Sequence, residues 1–165
     1  LGVSMKDAVE LSNDPRFLTS IIPAANICAT ADEVSQFYQC MLRSGEWQGE
    51  RIFTPRTIRH ATAEQSYWEF DLTLGFPIRY SLGFMLGNRR FGLLGGDNPF
   101  AFGHIGLSNI FTWADPERGI SVALTTTGKA IISPHIAQLF SLLNGIGSVF
   151  RREFAEPPSE VFRKM

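Results

Sequence analysis

The apolar residues of this chain change their spacing from a period of 3.6 to a period of 2, and that order decides most of what it can fold into. Val34, Phe37, Tyr38, Met41 and Leu42 follow i, i+3, i+4, i+7, i+8, which lays one apolar stripe along a helix. Thr30-Ala31-Asp32-Glu33 ahead of it reads as a capping box: the Thr30 hydroxyl can accept from the Glu33 N–H while the Glu33 carboxylate reaches back. Gly45 supplies a left-handed stop, so the spacing predicts a helix over 31–43. Farther on, Ser108 to Ala114 and Ile120 to Thr126 alternate. Asp115-Pro116-Glu117-Arg118-Gly119 joins them, with Pro116 presetting φ and Gly119 free to take a positive φ, which makes a β-hairpin. Ile136, Leu139, Phe140 and Leu143 return to helical spacing after Ser133-Pro134, an N-cap and first-turn pair, with an end near 144–150. Helices first, then strands, then a last helix argue for an α+β fold, an antiparallel sheet with packed helices, and against alternating βαβ units.

The remaining segments are read by their breakers. Ala8, Val9 and Leu11 suggest a short helix that Asn13-Asp14-Pro15 breaks, and Phe17 to Ile22 is apolar up to Pro23. Trp47-Gln48-Gly49 is a turn, and Thr54-Pro55 starts a short helix over 55–62. Tyr67 to Pro77 is aromatic and irregular and reads as a long loop, able to line a pocket or to pack on the surface. Tyr80 to Leu86 and Phe91 to Leu94 read as two short strands around Gly87-Asn88, and Gly95 to Pro99 as a loop. The charged tail from Arg151, with Pro157-Pro158, is expected to be exposed.

Composition excludes several classes of function. Fifteen Lys and Arg against 16 Asp and Glu give a net charge of −1, which offers no electrostatic footprint for nucleic acid or an anionic membrane. No apolar run approaches the roughly 20 residues of a membrane span. Cys28 and Cys40 allow one disulfide but make no disulfide scaffold; Cys40, inside the helical stripe, reads as a buried free thiol, and two free thiols lean towards a reducing, cytoplasmic compartment. The three histidines and two cysteines show no metal-ligand spacing, so neither metal nor other cofactor is expected.

Most apparent chemical motifs dissolve on inspection. Gly106-Leu107-Ser108 contains G-x-S, but the second glycine of a nucleophile elbow is missing and the segment precedes a strand instead of opening a helix. Gly128-Lys129 lacks the flanks of a phosphate loop. Phe102-Gly103-His104-Ile105-Gly106 is more informative. A histidine between glycines just ahead of a strand places an imidazole and accessible backbone amides at a sheet edge. On spacing alone, a turn with a structural histidine fits somewhat better.

Four stretches together carry a family likeness. They are Ile22-Pro23-Ala24-Ala25-Asn26 with Ala29-Thr30-Ala31 and its helix; Gly45 to Pro55; Tyr80-Ser81-Leu82-Gly83-Phe84; and Phe102 to Gly106 followed by Trp113-Ala114-Asp115-Pro116-Glu117-Arg118-Gly119-Ile120. In order and spacing, over about residues 20–145, the chain resembles the class C beta-lactamase and penicillin-binding-protein-like family of serine hydrolases, which includes many esterases. The third stretch resembles the strand written Y-x-L-G-F, and the fourth the H-x-G form of the family's third motif.

The resemblance implies an acyl-serine mechanism with three motifs: S-x-x-K with the nucleophile, a Y-x-N-type motif with the usual general base, and K-T-G or H-x-G lining the substrate. The first two are absent: no S-x-x-K occurs, Thr126-Thr127-Gly128-Lys129 is T-x-x-K after the third motif, and Tyr38, Tyr67 and Tyr80 are followed by the wrong residues. By resemblance, His104 takes the Lys or His position of the third motif and Gly106 its glycine. The Leu107 N–H becomes the second oxyanion donor. The chain, which begins at Leu1, is then expected to be the C-terminal portion of one beta-lactamase-like domain: a helical part about 1–66, sheet and terminal helix about 78–150, and a tail 151–165. The parent would hydrolyse a small ester or amide, and this portion alone would be inactive. The family fold joins N-terminal strands to C-terminal strands in one sheet, so this portion would expose a sheet edge that invites homo-oligomers. Two other readings stand: a catalytically dead binding or interaction module of the same fold, and an unrelated α+β ligand-binding domain.

Overall fold

A computed structural model describes residues 4–22, 26–72, 74–90, 92–106, 110–126, 136–150 and 152. The chain divides into two compact units, residues 1–30 and 31–165.

The first unit holds α1 (Met5–Ser12) and α2 (Pro15–Thr19). Ser4 caps α1 by accepting from the Asp7 N–H, and Asp14 caps α2 by accepting from the Arg16 N–H, with Pro15 in the first turn. Asn13-Asp14-Pro15 therefore ends one helix and starts another, which the sequence reading did not separate. The Asn26 side chain closes the following segment, donating to the carbonyls of Phe17 and Ser20 and accepting from the Ile22 N–H. Cys28 is exposed and free. Pro23 to Ala25 lie outside the described residues.

The second unit is a six-stranded antiparallel meander with helices on both faces. α3 (Ala31–Leu42) starts and ends as its stripe predicts, and α4 (Pro55–Thr62) follows its Thr54 cap, whose Oγ1 accepts from the Thr57 N–H at 3.2 Å. Between them β1 (Glu46–Trp47) and β2 (Glu50–Arg51) pair around the expected turn, with Gln48 and Gly49 at positive φ. The large sheet runs in chain order through β3 (Ser66–Asp71), β4 (Phe76–Tyr80), β5 (Met85–Leu86), β6 (Phe102–Gly106), β7 (Ile110–Asp115) and β8 (Ile120–Leu124), and α5 (Ile136–Val149) ends it. An antiparallel sheet with packed helices is the fold class the element order implies.

Three local expectations are corrected. Tyr67 to Pro77 is mostly β3 and β4 and not a loop. Its alternation is hidden by a bulge between Ser66 and Glu69, where Trp68 takes φ 54°. Tyr80 to Leu86 is not one strand but the end of β4, a turn and β5: the Ser81 Oγ accepts from the Phe84 N–H at 3.0 Å, and the Ser81 N–H donates to the Phe84 carbonyl. The described part of Phe91 to Leu94 forms no strand: Leu93 and Leu94 are in a turn whose Leu94 carbonyl accepts from the Asn98 side chain, while the Asn98 N–H donates to the Asn88 carbonyl. The Ser133-Pro134 helix start lies outside the described residues.

Alternation on β6 and β7 sends side chains to two cores. Towards α3 and α4, Tyr38, Met41, Ile58, Phe102 and Ala114 form one cluster; towards α5, Leu94, Ala101, Phe111, Trp113 and Leu143 form the other. Tyr38 and Ser35 fasten α3 to the sheet through hydroxyl pairs with Thr112 (3.0 Å) and Ser121 (2.8 Å). Burial pushes the Tyr38 phenol above its ordinary value, and likewise the free Cys40 thiol, which is 5% exposed.

The β7–β8 turn is a brace. Arg118 pairs with Asp115 at 2.7 Å and donates to the carbonyls of Gly147, Phe150 and Asp97, so one guanidinium ties the hairpin to the end of α5 and to the loop around Asp97. Arg152, the one described residue of the tail, bonds Asp97 and lies 3.4 Å from Glu117.

Candidate active site

β6 carries the residues that the resemblance singles out. Phe102 has no exposed surface and anchors the strand on the α3 side, with its ring 6.1 Å from Tyr38 and 5.5 Å from Phe84. Gly103 faces the other way, directly opposite Trp113; a Cβ there would overlap the Thr112 carbonyl oxygen and the Trp113 side chain. The first glycine is thus required by strand packing.

His104 lies opposite Thr112, on the face shared by Phe102 and Tyr38, and its side chain is exposed. Its Nδ1 stands 2.7 Å from the Ile105 carbonyl oxygen. A carbonyl only accepts, so Nδ1 carries the proton, and in the neutral ring Nε2 keeps its lone pair. Gly106, also exposed, lies opposite Ile110, and a Cβ there would come within 3.2 Å of the Ile110 Cβ. Leu107, the expected oxyanion donor, lies outside the described residues.

The sequence placed this segment ahead of a strand at a sheet edge. The structure makes it a strand within the sheet, flanked by β5 and β7. Its ladder with β5 ends at Gly103, opposite Met85, whereas its ladder with β7 continues to Gly106. Among the described residues, His104, Ile105 and Gly106 are therefore paired with a strand on the β7 side only.

On the α4 side of the sheet lies a groove the sequence reading did not find. α4 lines it with Arg56, Thr57, His60 and Ala61, and the 81–84 turn with Leu82, Gly83 and Phe84; its volume is about 540 Å³. Arg56 and His60 stand one helical turn apart, but the turn they face meets them only through the tertiary fold. Among the described residues, no group of three or more His, Cys, Asp or Glu side chains could hold a metal ion, and no helix is long and apolar enough to cross a membrane.

Comparison with known proteins gives this geometry a family. The chain is 29% identical over 139 residues to Esterase/beta-lactamase LipL of Mycobacterium tuberculosis (strain ATCC 25618 / H37Rv), covering 84% of this chain and 30% of that protein. A crystal structure of a family VIII carboxylesterase superposes with a TM-score of 0.67 at 25% identity, over 80% of this chain and 36% of that one. A penicillin-binding protein homolog from Caulobacter crescentus superposes with a TM-score of 0.57 at 27% identity, over 84% of this chain and 40% of that one. The chain thus spans well under half the length of these relatives. The family model described as Beta-lactamase matches residues 3–138, a span that takes in the whole six-stranded sheet and excludes an unrelated α+β domain; the chain belongs to the beta-lactamase family.

Proposed function

We propose that this chain forms the third-motif wall of an acyl-serine hydrolase acting on a small ester or amide, with the nucleophile and general base supplied by parts of the protein outside these 165 residues. The observation that carries the reading is β6 itself, on which His104 and Gly106 are exposed and, among the described residues, paired only with β7. A substrate acyl group lies along this strand. A serine Oγ bonds to the carbonyl carbon, and the electron pair moves to the oxygen. The Leu107 N–H serves as one donor to that oxyanion, a type of contact whose loss costs about 10²–10³ in rate. As the leaving group departs with a proton, the acyl-serine ester remains, and water then cleaves it. The His104 Nε2 lone pair takes part in this proton traffic.

The test is p-nitrophenyl ester hydrolysis by the full-length protein and its His104→Ala variant. A fall of about 10² in kcat is expected for a group in the proton path; wild-type-like rates would remove His104 from the mechanism. The 165-residue chain alone should show no turnover. A second reading, a catalytically dead binding module, is favoured by the lack of S-x-x-K and Y-x-N within this sequence. Stoichiometric labelling of the full-length protein by a fluorophosphonate supports the enzyme, and its failure supports the module.

A further inference from the structure

We propose that Thr112 is a positioning residue for His104, its hydroxyl oriented by Tyr38 and joined through one water to the imidazole Nε2. The inference rests on the acyl-serine reading and adds to it the group that holds the histidine in place.

The first argument is placement. β6 and β7 pair His104 with Thr112, so the two side chains rise on the same face of the sheet, about 4.5–5.5 Å apart at Cβ. Thr112 is half-buried and His104 exposed, which sets the hydroxyl beside the ring at the margin of the core. The imidazole makes its own hydrogen bond through Nδ1 to the Ile105 carbonyl. A single water spans the gap that remains between Nε2 and the hydroxyl.

The second argument counts protons. A phenol and a threonine hydroxyl each have one to donate, and Tyr38 and Thr112, 3.0 Å apart, use one of the two between them. Tyr38 is 4% exposed, with the rings of Phe37, Phe84 and Phe102 around it, and among the described residues Thr112 is the one partner of its hydroxyl. Were Thr112 the donor, the phenol proton would be stranded among aromatic rings at the full cost of a buried unpaired donor. Tyr38 therefore donates, and Thr112 keeps its proton and one lone pair. Such a hydroxyl suits a histidine in a proton path. Beside the neutral ring, Thr112 donates to the water and the water to Nε2; once Nε2 is protonated, it donates to the water and the water to Thr112. The same partners serve both states, so the ring need not turn. Packing alone does not call for the hydroxyl pair, because the rest of this cluster, Met41, Ile58, Phe102 and Ala114, is apolar and a phenylalanine with a valine would fill the same space.

The test is a double-mutant cycle in the full-length protein, read with a p-nitrophenyl ester. Thr112→Val should lower kcat about tenfold, the scale of one hydrogen bond, with KM little changed. Thr112→Ser, which restores the hydroxyl, should recover most of the rate. In a His104→Ala background Thr112→Val should cost nothing further, because it acts through the ring. Tyr38→Phe combined with Thr112→Val leaves no phenol without an acceptor, so its thermal midpoint should return towards wild type while kcat stays low. An unchanged kcat in Thr112→Val, an equal loss with and without His104, or a recovery of kcat in the Tyr38→Phe/Thr112→Val variant overturns the positioning role, while hydrolysis by the wild type leaves the acyl-serine reading standing. A wild type that neither hydrolyses the ester nor is labelled by a fluorophosphonate overturns both.

Discussion

Glu117 carries a carboxylate where the fold provides little for it. The residue is 8% exposed, and its Oε2 is buried without a hydrogen bond, 3.4 Å from an Arg152 nitrogen. Burial pushes its carboxyl above the ordinary value of 4.5; Asp115 and Asp97 push the same way, while Arg152 and Arg118 oppose. The folded chain therefore holds this proton more tightly than the unfolded chain, and stability falls as pH rises from about 4.5 through the raised value. Glu117→Gln has no charge to bury. Its stability relative to wild type should improve as pH rises through that window and level off above it. Urea unfolding at a series of pH values measures this, and a pH-independent difference would refute it. The sequence shows Glu117 as part of a charged turn and gives no sign of its burial, because Asp97 and Arg152 reach it from distant parts of the chain. His104 and Gly106, by contrast, are legible at this scale, since H-x-G is a local pattern. Arg56 and His60 are not, because the turn that makes them a groove is more than 20 residues away in sequence.

Among the elements, legibility follows how regular each one is. α3 and the β7–β8 hairpin keep one period without interruption, and one face of each is buried, so their side chains record the geometry. β3 and β4 do not: the bulge at Trp68 shifts the alternation, and Pro77 stands within a strand. Pro77 is tolerated because β4 meets β5 only at Tyr80, which leaves the proline outside that ladder. β6 is obscured differently. Glycine ordinarily weakens a strand, yet Gly103 is there because Trp113 occupies the space a side chain would need. Gly103→Ala should therefore push β6 and β7 apart and destabilise the fold by about 2–3 kcal/mol, the scale of overpacking a tight interior. Gly106→Ala meets Ile110 at 3.2 Å and should cost clearly less. Denaturant midpoints for the pair decide this, and equal losses would mean that the β6–β7 contact is not the constraint.

At the scale of the whole sheet, the two outer strands are guarded unequally. β3 carries Glu69, Asp71 and a bulge, which discourage a further strand from pairing. β8 runs Ile120-Ser121-Val122-Ala123-Leu124 with no charge and no proline, and it matches β7 over five consecutive pairs without a register shift. Among the described residues nothing pairs with its outer side. α3 holds one face of this strand through Ser121, and Val122 and Leu124 pack into the core beneath α5, so its backbone edge is the surface left to satisfy. Another strand is the partner that suits such an edge. The chain spans 30% of the curated relative it matches. Alone, the 165-residue chain has only copies of itself to recruit. It should therefore self-associate, with a mass in light scattering that exceeds 18.4 kDa and grows with concentration. Ile120→Lys puts a charge at the start of the edge without touching either core cluster, and it should shift the population towards monomer. A wild-type chain that stays monomeric at high concentration would show that the β8 edge is already closed.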